Sequence, residues 1–147
     1  MFHLYRNIGR VLLLGALMLA AVQAIYASEV DAVRISDNIQ QQHMPYGTIL
    51  DPVYASADPA SPDYSTLVGY TRAGDSAVWT GHYLAAEAFR YKVTRSPEAL
   101  ANAWRAVWAI QALLDITYSD VLARCFINAD SPYAAVIQQQ EAGHGVY

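Results

Sequence analysis

The chain has 147 residues, of which 54% are hydrophobic and 15% are charged, and its formal net charge is −4. This composition is too apolar and too weakly charged for an intrinsically disordered chain. The sequence pI of about 5.4 argues against nucleic acid as a partner, because a nucleic-acid-binding surface is basic. A single cysteine excludes an internal disulfide framework and a cysteine-rich zinc module.

The first 27 residues have the three parts of a secretory signal peptide. A basic start without acidic residues precedes an unbroken apolar run over Val11–Ala21, and small residues follow at Ala24 and Ala27. We therefore expect a secreted or periplasmic protein, cleaved after Ala27 or, as a second choice, after Ala24. The alternative is an uncleaved membrane anchor, which would be the chain's only contact with a membrane. Gln23 weakens it, since a spanning helix needs about 20 apolar residues.

Residues 28–147 then form the mature domain, with seven basic and 13 acidic side chains and a net charge of −6. Nine of the 11 tyrosines lie in this part of the chain. Tyrosine has a flat apolar face and a polar edge, which suits sugar binding as well as packing between helices. Composition alone favours packing.

The start of this domain favours a short helix. Ser36 or Asp37 is predicted to cap a helix that runs through Gln40 to His43 and ends before Pro45.

The next segment, residues 45–74, holds four prolines and three glycines, so no helix crosses it. Thr48–Tyr54 and Thr66–Thr71 have some extended character, although Pro52 interrupts the first. A loop of this length inside a compact domain is often functional when it is ordered. We therefore predict a long Pro-rich loop that helps to form a site.

Two strong helices follow. Asp75 or Ser76 is predicted to cap a helix that runs to about Val93, with apolar side chains over most of its circumference, which predicts burial nearly all round. The second helix has Ser96 as its N-cap and Pro97 at its first position. Because the connection is short, the two helices are predicted to be antiparallel neighbours, an αα-hairpin.

The tail is less regular. Ser131 and Pro132 predict a turn, and a short helix over Ala134–Gln140 is expected to follow. The single cysteine, Cys125, is expected to be a buried, inert thiol.

The segments Gly74–Tyr91, Ser96–Leu114 and Leu122–Arg124 resemble the α/α-toroid, or six-hairpin, carbohydrate-active superfamily, in particular its uncharacterised secreted bacterial members. The shared pattern is an acidic residue and an aromatic residue opening an inner helix, an aromatic-Arg-Tyr helix end, and Leu-Ala-Arg after the partner helix. The resemblance implies a mainly α fold of antiparallel αα-hairpins. It also implies action on glycans, since members include glycoside hydrolases, polysaccharide lyases and epimerases.

Two departures from this pattern matter. Members often have glycine after the Asp-x-Thr that ends the second helix, where a left-handed residue is wanted, but here Tyr118 stands there. A complete toroid also needs several hundred residues, so the resemblance implies an incomplete toroid, an N-terminal fragment that is inactive alone. Such a fragment is expected to expose Trp104, Trp108 or Phe89.

One stripe of the first long helix holds the main candidate site residues. Asp75, Trp79 and His82 fall on one face, where a sugar ring would stack on the indole and its hydroxyls would bond the carboxylate and the imidazole. Asp75 and His82 are therefore the catalytic candidates, and Trp79, Tyr83 and Arg90 are the substrate-binding candidates. The alternative is that Asp75 caps the helix, Trp79 fills the core and His82 is a buried structural histidine.

The carboxylate partner of Asp75 stays open. Glycoside hydrolysis needs two carboxyl groups about 5–10 Å apart, and Asp51, Asp63 or a residue outside this chain would serve. Glu87 lies on a different face and is expected to pair with Arg90 or Tyr91.

His43 at a helix end and His144 in a Gly-His-Gly loop are further substrate-binding candidates. The histidine spacing predicts no metal site, and no motif predicts a cofactor. The sequence thus favours a fragment of an exported glycan-acting protein. The alternative is a non-catalytic secreted module that binds a glycan or a protein through its tyrosine-rich surface.

Overall fold

A computed structural model describes residues 28–56, 58, 60–61, 63–71 and 73–143. The predicted signal segment and His144 lie outside these residues. The chain divides into two units, residues 1–36 and residues 37–147, and the candidate site belongs to the second. The described residues are mainly helical, as the sequence predicts, and they also contain one small sheet. None of their helices is both long enough and apolar enough to span a membrane.

The first helix, α1, spans Glu29–Asn38 and leads directly into a single π-helical turn over Ile39–His43. The hydroxyl of Ser28 accepts a hydrogen bond from the Asp31 amide at 3.1 Å, and the Asp31 carboxylate accepts one from the Ser28 amide at 3.2 Å. This reciprocal cap starts the helix well before the predicted capping position. The prediction of a helix that begins at residue 36 or 37 is therefore wrong, whereas its end near residue 43 is confirmed.

Two short strands lie in the segment predicted to be a loop. β1 (Asp51–Tyr54) pairs with β2 (Leu67–Thr71) in an antiparallel sheet, in which Asp51 lies opposite Thr71. Pro52 does not prevent this pairing, because each strand of a two-stranded sheet is an edge strand and one of its sides needs no partner. The expectation of extended character is confirmed, and that of a loop throughout is wrong.

A 3₁₀ turn over Ala73–Asp75 leads into the long helix α2 (Ser76–Thr94), and α3 (Pro97–Asp115) follows after two residues. The Ser96 hydroxyl accepts a hydrogen bond from the Ala99 amide at 3.3 Å, which confirms Ser96 as the N-cap. The short connection joins the end of α2 to the start of α3. The start of α2 and the end of α3 meet at residues 123 and 124, which hydrogen bond to both, so the helices run in opposite directions.

The two long helices are buried along narrow stripes. On α2 the buried residues are Ser76, Thr80, Tyr83 and Glu87, and on α3 the buried stripe consists mostly of alanines. Small residues bring the two backbones close together. On α2, however, Val78 and Val93 are 57% and 83% exposed, so the prediction of burial nearly all round is wrong. The expected exposure of Phe89, Trp104 and Trp108 is confirmed, at 68%, 52% and 66% of their surfaces.

The short helix α4 spans Ala134–Gln140, as predicted. Its Ile137 packs with Leu50, Tyr70 and Cys125 in a core cluster between the sheet and the C-terminal segment. Burial raises the pKa of the Cys125 thiol to about 11. The thiol is therefore buried and protonated at neutral pH, as expected for an inert cysteine.

The N-cap of α3 can be tested by substitution. Ser96→Ala removes the acceptor for the Ala99 amide and is expected to lower the free energy of unfolding by about 1 kcal/mol. Ser96→Asp keeps an acceptor at this position and is expected to stay within about 0.5 kcal/mol of the wild type. Denaturant unfolding measures both, and equal losses in the two variants would contradict the cap.

Tyr118 adopts a left-handed backbone conformation, with φ of 50°, at the position where the resemblance expects glycine. A β-carbon costs about 1–2 kcal/mol in this conformation. Replacing Tyr118 by glycine removes that cost, but part of the gain is lost because glycine loses more entropy on folding. Tyr118→Gly is therefore expected to stabilise the protein by roughly 0.5–1 kcal/mol. Tyr118→Ala keeps the β-carbon and serves as the control, in which thermal unfolding should reveal no gain.

Candidate functional site

A cleft of about 600 Å³ lies between the π-helical turn, the start of β1 and the first three turns of α2. It brings together five of the predicted site residues with Asp51, one of the candidate partners of Asp75. The lining residues are Ile39, His43, Ile49, Asp51, Asp75, Trp79, His82, Tyr83 and Ala86.

The register of α2 explains why the predicted stripe faces this cleft. The buried stripe contains Ser76, Thr80 and Tyr83, whereas the cleft stripe contains Asp75 and Trp79, one position earlier in each turn. A shift of one residue rotates a side chain by about 100° around a helix. Packing the small polar side chains against the rest of the protein therefore turns their neighbours towards the cleft.

Trp79 and His82 form an aromatic wall. Their ring centroids are 5.7 Å apart and their planes are tilted by 51°. Trp79 is 48% exposed and His82 is also exposed. Trp79 therefore does not fill the core and His82 is not a buried structural histidine, so the alternative interpretation of this stripe is wrong for both residues.

The Asp75 side chain also departs from that alternative, because it makes no capping hydrogen bond to α2. Its carboxylate lies 3.5 Å from the guanidinium of Arg124, and both side chains are about half exposed. Gly74 leaves space for the Arg124 side chain. A β-carbon at this glycine would lie 2.8 Å from the Arg124 guanidinium and 2.5 Å from the Glu141 carboxylate.

The structure distinguishes the two carboxylates proposed as partners of Asp75. Asp51, the first residue of β1, lines the same cleft as Asp75. Asp63 does not line it. Hydrogen bonds from the Ser65 side chain and from the Ser65 amide, the latter at 2.8 Å, lower the pKa of its carboxyl group. Asp51 and Asp75 are thus the two acidic side chains of the cleft.

Tyr83 and His43 form the inner wall of the cleft. The Tyr83 ring is buried, and its hydroxyl accepts a hydrogen bond from the Gln40 amide group at 3.0 Å. His43 ends the π-helical turn, and its carbonyl accepts a hydrogen bond from the Leu50 amide at 2.8 Å. Both residues are therefore anchored in the wall, and His43 is only half-buried.

Arg90, a predicted substrate-binding residue, does not line the cleft. Its guanidinium lies 2.7 Å from the buried Glu87 carboxylate and 3.6 Å from Glu98. Burial alone would lower the Arg90 pKa, but the hydrogen bonds and charges of the two glutamates outweigh it and raise the pKa. Arg90 thus joins the end of α2 to the start of α3, and the predicted pairing of Glu87 with Arg90 is confirmed.

Two features of the site were not predicted from the sequence. Thr80 fixes the wall of the cleft: its hydroxyl accepts a hydrogen bond from the Ile49 amide at 2.9 Å and donates one to the Ser76 carbonyl at 2.7 Å. Arg124 appears in the Leu-Ala-Arg motif, but nothing in that motif indicates its contact with Asp75, which is 49 residues away.

Within the part of the chain that the structure describes, no group of three or more His, Cys, Asp or Glu side chains has the arrangement of a metal site. Comparisons with protein-family models, with curated proteins and with solved structures found no match to this chain. The toroid resemblance therefore stays a prediction.

The Thr80 bridge provides a test of how the cleft is built. Thr80→Val leaves the half-buried Ile49 amide without its acceptor and is expected to lower the free energy of unfolding by about 2 kcal/mol. Thr80→Ser keeps the hydroxyl and loses one buried methyl group, which lowers the free energy of unfolding by about 1 kcal/mol. Hydrogen exchange separates the two causes, since the Ile49 amide should lose protection only in Thr80→Val. Equal protection in both variants would contradict the bridge.

Proposed function

We propose that this chain binds a glycan in the cleft, as part of a carbohydrate-active helical protein. The observation that carries the proposal is the convergence of a half-exposed tryptophan, an exposed histidine and two carboxylates in one concave site. Trp79 offers a flat apolar surface that fits the C–H face of a sugar ring. Asp51, Asp75 and His82 offer hydrogen-bonding groups for the sugar hydroxyls, the usual combination of an apolar platform with a few polar contacts.

Asp51 and Asp75 also form the candidate catalytic pair. They come from different elements, a strand and the turn before a helix, and line the same cleft. In hydrolysis, one carboxyl group of such a pair protonates the leaving oxygen, and the other acts as base or nucleophile. His82 is the candidate for proton abstraction if the reaction is instead an elimination or an epimerisation.

The proposed architecture is an incomplete α/α toroid. Its support is the pair of long helices, α2 and α3, which are joined by a two-residue connection and run in opposite directions, as the two helices of an αα-hairpin would. A toroid stacks such hairpins side by side. The exposed rings of Phe89, Trp104 and Trp108 are the kind of surface that neighbouring hairpins would cover. Export of the chain, predicted from its first 27 residues, agrees with a role on extracellular glycans.

A second candidate function, a non-catalytic module that binds a protein, is favoured by one observation. Trp104 and Trp108 lie one turn apart on α3, with ring centroids 6.4 Å apart, and both are more than half exposed. Exposed tryptophans of this kind are typical of protein interfaces.

A glycan panel tests the proposed function with the full chain. Trp79→Ala is expected to weaken binding of a captured glycan about tenfold or more, because the sugar loses its stacking surface. Trp104→Ala is the matched control, since it removes a tryptophan of similar exposure, 52% against 48%, that does not line the cleft. Titration calorimetry measures both affinities. Equal losses in the two variants, or no glycan bound by the wild type, would overturn the proposal.

Catalysis is tested separately on any glycan that the protein turns over. Asp75→Asn and Asp51→Asn are each expected to abolish turnover, because each removes one member of the carboxyl pair. The melting temperature of Asp75→Asn should change little, since Asp75 is exposed and only its ion pair with Arg124 is lost. Full turnover in either variant would remove that residue from the catalytic role.

A further inference from the structure

A second cavity, of about 650 Å³, adjoins the proposed glycan cleft. His43 and Asp51 line both cavities, so the two spaces meet at these side chains. The second cavity extends along β1, and Trp79 does not line it. Its lining residues are Asn38, His43, Asp51, Pro52, Tyr54, Tyr64 and Thr71.

The second cavity has an aromatic platform of its own. Tyr54 and Tyr64 meet edge to face, with ring centroids 5.2 Å apart and an angle of 76° between their planes. Tyr64 is 66% exposed and belongs to neither buried core cluster, so core packing does not account for its position. The Ala55 amide donates a hydrogen bond to the Thr66 carbonyl at 2.9 Å, which extends the pairing of the strands beside this platform.

We infer that the two cavities form one groove with two subsites, which binds an oligosaccharide rather than a single sugar. This inference rests on the proposed function. One sugar stacks on Trp79, another contacts Tyr54 and Tyr64, and the linkage between them passes His43 and Asp51. Each cavity alone lies within the range of roughly 300–1,000 Å³ that is typical of small-ligand sites. Together they have room for several linked sugars.

The test uses the full chain and three ladders from monosaccharide to hexasaccharide: β-linked glucose, β-linked N-acetylglucosamine, and galacturonate. For the wild type, we expect affinity to rise with length on the ladder that it binds. Tyr64→Ala should weaken tetrasaccharide and longer ligands about tenfold, because the second platform is lost, and leave the monosaccharide unaffected. Trp79→Ala should weaken every length.

Controls keep these outcomes separate. Tyr64→Phe keeps the ring and should retain the length dependence, whereas Tyr118→Ala removes an exposed tyrosine outside both cavities and should change nothing. Affinity that is independent of length, or equal losses for all lengths in Tyr64→Ala, would overturn the two-subsite groove while the Trp79 result upholds the proposed function. Failure of the wild type to bind any glycan would overturn the proposed function itself.

Discussion

The shape of the cleft depends on one side-chain hydroxyl, that of Thr80. It is fully buried and makes two hydrogen bonds, accepting from the Ile49 amide and donating to the Ser76 carbonyl. The segment after the π-helical turn is thereby fixed against the first turn of α2. A third hydrogen bond, from the Leu50 amide to the His43 carbonyl, holds that segment against the π-helical turn. The three walls of the cleft are therefore joined by hydrogen bonds, whose loss would leave buried polar groups unpaired.

The same buried stripe of α2 sets the chemistry of the cleft. Ser76 and Thr80 are small enough for close approach of the neighbouring segments, and their burial leaves Asp75 and Trp79 at the edge of the packed surface. A helix that buried Trp79 instead would gain apolar contact area and lose the aromatic wall. The fold thus leaves a large indole half exposed, although burial of such a ring stabilises a protein by several kcal/mol.

Local signals in the sequence predicted the two long helices and α4. The sheet and the contacts of the cleft depend instead on residues that are distant in sequence. Ser96 and Pro97 identify the start of α3 because an N-cap acts within three residues, and the spacing of Asp75 and His82 follows from helix geometry alone. The exposure of Trp79 was not predictable, since an apolar pattern does not say which stripe finds a partner. The contact of Asp75 with Arg124 and the sheet in the Pro-rich segment join residues distant in sequence, and no local pattern encodes them.

The exposed tryptophans of the chain differ in their surroundings, and this difference supports the functional argument. Trp104 and Trp108 stand on an outward face of α3, a surface that suits contact with another apolar surface. Trp79 stands in a concave site beside His82 and two carboxylates. An apolar partner there would displace water from those carboxylates and offer them no new hydrogen bond, which is costly. A ligand that covers the indole and also hydrogen bonds to the carboxylates combines an apolar face with donor groups, and a sugar has both.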